Sequence, residues 1–470
     1  MHCGKHVTNV TRDARIQNMM QFHLLSFEGP DDYARAGGVA TRVTGLARAL
    51  AEAGHECHVW FIGDPELPGH ERQGEVHLHR WCQWISGYHP AGVYDGEEGK
   101  RVDYATSLPP FLVEQFLAPA LREGQRTVIL AEEWHTVDAV LHVDLLLRRQ
   151  GLRERATMLW NANNTYSFER IPWNRLAQAA IITTVSRYMK NLMGVQGLDP
   201  LVIANGLEPE AFVLPERDAV AAFRAQTRGR TVVAKVARWH PDKRWLYAVD
   251  TVKVMKQRGG RPLLLARGGV ESYGTEVYAA AAAAGLRVVE PDCTVRGASG
   301  LLAAMRENRE ADILCLRMPL DAEARRLLFR CSEAVLANSE HEPFGLVGLE
   351  TMAAGGIACV GTSGEDYAIP GNNALALETN DPNELVSLLS GLRRRPDWGR
   401  AMRGAARRAA EMYRYSSIVE RVLLPRLEWL AGSSQKSERD GRGGARQRVT
   451  ERWHRNRAAT ARPPIAVFPR

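Results

Sequence analysis

The chain lacks any run of about eighteen apolar residues, which excludes a membrane-spanning helix from what the sequence leads one to expect. Its first twenty residues hold no apolar stretch of the signal-peptide kind, so the cytoplasm is the expected address, with peripheral membrane contact left open. Cysteine pairs are also missing. The seven cysteines (Cys3, Cys57, Cys82, Cys293, Cys315, Cys331 and Cys359) are scattered without a C-x-x-C spacing, the pattern of buried reduced thiols rather than of a disulfide framework. Asp31-Asp32 is adjacent rather than a spaced D-x-D, and no metal site follows from it. His77 and His79, two apart in EVHLHRWCQW, share one face of a strand; an exposed edge strand is the better reading there than a metal site.

What is present is size. A length of 470 residues suffices for two domains with separate cores, and an apolar fraction of 45% fits an α/β protein. The net charge of +7 invites a nucleic-acid reading until its location is considered. Residues 432–470 carry ten Lys/Arg against three Asp/Glu, which leaves 51 of each sign in the rest of the chain. The body is formally neutral, and no specific nucleic-acid partner is expected.

Read in order, residues 1–18 are polar and patternless and are expected to be disordered. Residues 21–27 make a first strand, leading through GPDDYARAGGVATR to a helix with an apolar face of Val39, Val43, Leu46, Ala47 and Leu50. Gly37-Gly38 at that helix's start lets backbone approach a ligand closely, or serves only as a turn. Residues 127–130 form a strand entering AEEWHTVDAVL, and residues 157–160 one that opens onto NANNTYSF. The amides of that segment, Asn163 among them, suit sugar hydroxyls and equally suit ordinary turns. After a polar connection, strand TVVAKVA leads into RWHPDKRW, where Arg238 and Lys243 stand five apart around a turn. Cations at the C-terminal edge of a parallel sheet form a diphosphate clamp. Strands and helices then alternate to residue 360, as in a doubly wound parallel sheet.

The chain is organised around AVLANSEHEPFGLVGLETMAAGGIACVGTSGEDY, residues 334–367. It reads as a strand over 334–337, a polar turn, a helix opening near Phe344, and a strand over 357–360. Glu342 precedes the helix and Glu350 lies about two turns inside it. From Phe344 to Glu350 the helical rise is roughly 9 Å, about the span from the sugar to the ribose of a nucleotide-sugar, with the helix N-terminus suited to the diphosphate between.

SEHEPFGLVGLETMAAGG resembles the E-x(7)-E signature of family 4 of the retaining nucleotide-sugar glycosyltransferases, with Ile357 where a proline is common. The Arg238/Lys243 turn is similar to that family's G-R-x(4)-K-G, with Ala237 and Arg244 in place of the glycines. AEEW resembles its A-H-D-W, with Glu132 in the histidine position. The resemblance implies an α/β fold of two Rossmann-like doubly wound domains facing across a cleft, GT-B. It implies catalytic roles for Glu342, Arg238 and Lys243. Donor-binding roles would fall to Gly37, Gly38, Ser339, Phe344, Gly345, Leu346, Val347 and Glu350, and acceptor-side roles to His135 and Asn163. No metal and no cofactor is implied; the partners are a nucleotide-diphosphate sugar and a carbohydrate or other hydroxyl acceptor.

The expected organisation is a first domain over 19–206, a linker over 207–229 and a donor-side domain over 230–400. A helical region over 401–431 would cross back to the first domain, and a disordered basic tail would occupy 432–470. A glycosyltransferase is the leading function. A sugar-nucleotide epimerase or phosphorylase of the same architecture, and a non-catalytic sugar-binding scaffold, stand as alternatives.

Overall fold

A computed structural model describes residues 19–291, 296–317 and 320–439. Cys3, Cys293, the expected disordered extension 1–18 and the tail beyond Arg439 lie outside the described residues.

The first sheet is built from strands β1 (Met20–Leu25), β2 (Glu56–Ile62), β3 (His70–Gln73), β4 (Val76–Trp81), β5 (Arg126–Glu132), β6 (Ala156–Ala162), β7 (Ile181–Thr184) and β8 (Leu201–Val202). Their order is β3-β4-β2-β1-β5-β6-β7-β8, parallel except for the antiparallel pair β3–β4. All six residues of β1 are buried, as a central strand covered on both faces requires. Helix α1 (Gly38–Glu52) buries its predicted stripe of Val39, Val43, Leu46, Ala47 and Leu50 on one face of the sheet. Helices α2 (Glu97–Leu112) and α3 (Arg187–Gly194) complete the parts of this layer that shape the site; Ser186 caps α3 by accepting from Met189 N at 3.1 Å.

Strand β4 is not the edge that its sequence suggested, because β3 pairs outside it. His79 is buried, stacked on Trp60 with ring centroids 3.7 Å apart and bonded through Nε2 to His58 Nδ1 at 2.9 Å. Two residues, Gly74 and Glu75, separate β3 from β4, and the polar, largely exposed HERQ of β3 leaves no apolar alternation by which the hairpin would stand out in the sequence.

Part of the stretch 207–229, expected as a linker, is built into the second domain. Helix α4 (Arg217–Gln226) buries Phe223 in that domain's core. The second sheet comprises β9 (Thr231–Val236), β10 (Pro262–Arg267), β11 (Val288–Val289), β12 (Ile313–Cys315), β13 (Ala334–Ala337), β14 (Ala358–Val360) and β15 (Leu375–Ala376), in the all-parallel order β11-β12-β10-β9-β13-β14-β15. Three of its helices matter to the site: α5 (Trp245–Gln257), α6 (Ala322–Cys331) and α7 (Leu346–Ala353).

Two terminal helices close the molecule. Helix α8 (Pro396–Glu411) packs on α7, and the chain then passes to the first domain. Tyr415, Ile418, Val419, Leu423 and Leu427 join the core beneath β1 and α1. Gly45 and Gly206 make room for Tyr415: a Cβ on them would fall 2.1 Å and 2.7 Å from its ring. The last helix, α9 (Leu424–Arg439), runs eight residues into the expected tail. No helix among the described residues is long and apolar enough to cross a membrane.

Candidate active site

The C-terminal ends of β9 and β13 place the clamp and the signature together, as parallel neighbours must. The Lys243 ammonium donates to Ser339 Oγ at 3.2 Å and to Glu342 Oε2 at 2.9 Å, with Asp242 Oδ2 at 3.3 Å. Asp242 fixes the same turn from below, its carbonyl accepting Glu340 N and its carboxylate accepting His341 N, each at 2.9 Å. Arg238 is exposed, and its backbone carbonyl accepts from the Trp245 indole at 2.9 Å. One cation is thus committed to Glu342 while the other points to solvent.

Arg244, in the place of a family glycine, adopts φ 52°, ψ 48°. The left-handed conformation persists without the glycine that would make it free of strain, so the loop keeps its shape at a cost of about 1–2 kcal/mol.

Gly345, at φ 82°, turns the chain into α7. The backbone of Leu346 and Val347 begins the helix, whereas the Phe344 side chain is buried against Tyr367 and Tyr413, so that only its backbone is available to a ligand. The opposite end of α7 is held by cations: Arg407 Nη1 donates to Ala353 O at 2.8 Å, and Arg403 Nη1 and Arg330 Nη1 reach Gly355 O at 3.2 and 3.3 Å. Positive charge at the helix C-terminus leaves its N-terminus free for an anion. Glu350 lies one-fifth exposed, with Arg325 of α6 at 3.6 Å; burial raises its pKa and Arg325 opposes that rise.

Across the cleft, the N-terminus of α3 meets the signature turn. Ser186 Oγ donates to Pro343 O at 2.5 Å, Tyr188 OH lies 3.2 Å from His341 Nδ1, and Asp366 accepts from Arg187 N at 2.8 Å. Gly38 faces Leu346: a Cβ there would lie 3.6 Å from Leu346 Cδ1. Gly37 N is already bonded, donating to Glu28 Oε2 at 2.8 Å, and Ala40 N donates to the same oxygen at 3.1 Å.

The first domain's wall is a buried polar network. Glu132 accepts from Arg42 Nε at 2.9 Å and from Asn161 and Asn163 Nδ2 at 2.8 Å each, while Glu133 Oε1 accepts Asn163 N at 2.7 Å. Glu132 in the family's histidine position is therefore a structural anion, held by a guanidinium and two amides. His135 is buried, stacked on Phe27 with centroids 4.4 Å apart, and bonded through Nε2 to Glu97 at 2.7 Å; its Nδ1 and the Asn163 Oδ1 have no partner. Burial holds His135 below the usual histidine range.

The sequence reading missed Glu133, which sits at φ 67°, a strained conformation for so large a residue. Burial, with Glu132 and Glu28 close by, pushes its carboxyl up to about 8. The AEEW segment held the only signal for it. Lys235 and Glu365 were missed as well; a lysine inside a strand and a glutamate after one leave no spacing to recognise. Among the described residues, no group of three or more His, Cys, Asp or Glu is placed to hold a metal.

Residues 36–211 match the family described as Glycosyltransferase Family 4. Solved structures extend the likeness over both domains. The sucrose-phosphate synthase of Thermosynechococcus elongatus is 20% identical at a TM-score of 0.60, covering 88% of this chain and 100% of that one. The catalytic domain of starch synthase IV from Arabidopsis thaliana, bound to ADP and acarbose, is 15% identical at 0.58, covering 86% and 100%. An Anabaena protein in complex with UDP and glucose is 14% identical at 0.54, covering 87% and 99%. No curated protein sequence matches the chain. The chain has the GT-B fold, two Rossmann-like domains with the family 4 match falling on the first.

Proposed function

We propose that the chain moves a sugar from a nucleoside-diphosphate donor to a hydroxyl acceptor with retention of anomeric configuration, at the site between β9, β13 and α7. The observation that carries this reading is the Lys243 ammonium, which binds Ser339 and Glu342 at the start of a helix whose far end is closed by three arginines. Lys243, Arg238 and the α7 N-terminus neutralise the leaving diphosphate; Arg238, exposed, swings onto it when the donor enters. Glu342 holds the transferred sugar and stabilises positive charge as the anomeric bond opens. Glu350 binds the ribose, with Arg325 steadying it. His135 and Asn163 face the acceptor through the nitrogen and oxygen that lack partners. The UDP and ADP bound by two structures of the same fold support a nucleoside diphosphate as the donor's leaving group.

Steady-state kinetics test this division of labour. Glu350→Ala should raise the donor KM, since the ribose does not change during transfer. Glu342→Gln should lower kcat far more than it weakens binding of the free nucleoside diphosphate, which contains no sugar. Equal kcat losses that track equal drops in melting temperature would reduce both residues to structural parts and leave the scaffold alternative standing.

A further inference from the structure

One carboxyl at the donor end has no role in the reading above. Glu365 follows β14 and is 7% exposed. Its Oε2 accepts Ser363 N at 3.1 Å and lies 3.5 Å from Ser363 Oγ, while its Oε1 is buried without a partner. Ser363 Oγ also accepts Glu342 N at 3.0 Å, and Gly364 N donates to Glu342 O at 2.8 Å. The loop after β14 is thereby laced to the turn that carries Glu342. Gly345, the first residue of the helix approach, backs directly onto Glu365, where a Cβ would lie 2.9 Å from Glu365 Cγ. A second carboxyl thus sits next to Glu342, beside the helix N-terminus assigned to the diphosphate, and no cation contacts it among the described residues.

Two carboxylates this close cannot both stay ionised in a buried place without a counter-ion. Lys243 is committed to Glu342. Burial pushes the Glu365 carboxyl up to about 7, Glu342 adding to the rise and the bonds from its own loop opposing it. We propose that Glu365 is a positioning residue that works as the neutral acid: protonated, it holds the 361–365 loop against the Glu342 turn, and ionised, it repels both Glu342 and the incoming diphosphate. This rests on the donor site proposed above. The reaction's own electron balance is untouched, because the proton remains on Glu365 and the pair from the broken anomeric C–O bond leaves with the diphosphate. The charged and titratable groups facing this loop are Glu342 and Lys243 on the signature and clamp turns, Tyr367, whose hydroxyl donates to Gly345 O and which burial holds protonated well above the usual tyrosine range, Tyr188 and Arg187 on α3, His341, Asp242, Asp366, and Lys235 beneath Asn338.

The test is the pH profile of donor turnover. The wild-type kcat/KM for the nucleotide-sugar should fall about tenfold per pH unit above pH 7.5, as Glu365 ionises. Glu365→Gln, a neutral acid's isostere, should keep the pH 7 rate and lose this alkaline limb, while Lys235→Met and His341→Asn keep it. A flat wild-type profile, or a limb unchanged in Glu365→Gln or abolished in Lys235→Met, would overturn the proposal. Binding of UDP and ADP to the wild type between pH 6 and 9 gives a second reading independent of how the variant folds: affinity should fall over the same range, and a constant affinity would overturn it. Absence of turnover with every nucleotide-sugar at every pH would instead strike the proposed function, so the two failures are distinguishable.

Discussion

Replacing Lys235 by methionine should make the protein more stable at neutral pH. Lys235 stands on the central strand β9, 1% exposed, its ammonium donating to Asn338 Oδ1 at 2.8 Å and lying 5.6 Å over the Trp245 ring. Burial first, and Lys243 second, push it down to about 7 from 10.5. At about 1.4 kcal/mol per unit, that shift corresponds to a penalty of about 5 kcal/mol. The sign follows from proton counts. The unfolded lysine stays protonated up to about 10.5 while the folded one releases its proton near 7, so stability rises with pH between those values. The penalty is full below pH 7 and gone by about 10.5. Methionine matches the unbranched shape and removes the penalty, but it leaves Asn338 Oδ1 unpaired, at a cost of about 1–3 kcal/mol. The net gain at pH 7 is about 2–4 kcal/mol, which should raise the melting temperature of the second domain by roughly 5–10 °C. At pH 9.5 the gain should have vanished. Thermal melts of the two proteins from pH 6.5 to 9.5 decide this. A variant that melts lower than wild type at pH 7, or an advantage unchanged at pH 9.5, would refute the reasoning.

Two further perturbations address the clamp and the histidine face. Lys243→Ala and Arg238→Ala should each remove charge-assisted bonds of about 1.5–3 kcal/mol and weaken nucleoside-diphosphate binding roughly ten- to a hundredfold by calorimetry, with turnover surviving EDTA; unaltered affinity in both variants, or a strict divalent-metal requirement, would contradict the assignment. Burial, with His58 and the other neighbouring histidines adding to it, holds His79 down to about 3, so the folded protein keeps it neutral where the unfolded chain binds a proton below about 6.5. Stability present above that value should be lost as pH falls toward 3, by about 3 kcal/mol at pH 4, and His79→Phe should blunt this acid loss in denaturant titrations.

The parts of the site legible in the sequence are those where a local pattern sets the geometry. Glu342, Gly345 and Glu350 are fixed by one strand-turn-helix unit, and Arg238 and Lys243 by one turn, so their spacing carried over to space. The βαβ alternation gave both sheets, since buried parallel strands read as apolar runs bounded by turns. Other groups come together only through tertiary pairing. Glu365 reaches Glu342 because β14 lies beside β13, and Lys235 reaches Asn338 because β9 does. The Glu132–Arg42–Asn161 network joins residues over a hundred positions apart, to the carbonyls of Ile203 and Ala204. The antiparallel β3, a polar HERQ, has no apolar alternation to mark it, and its pairing covers the strand that the sequence left as an edge, with His79 buried and His77 half-buried.

The most direct measurement of the central claim is proton NMR of the reaction itself, run with UDP-, ADP- and GDP-sugars and a panel of hydroxyl acceptors. One donor should release its nucleoside diphosphate in step with a new glycoside whose anomeric coupling matches the configuration of the sugar in the donor. A product of inverted configuration, or an epimerised donor with no new glycosidic linkage, would contradict it.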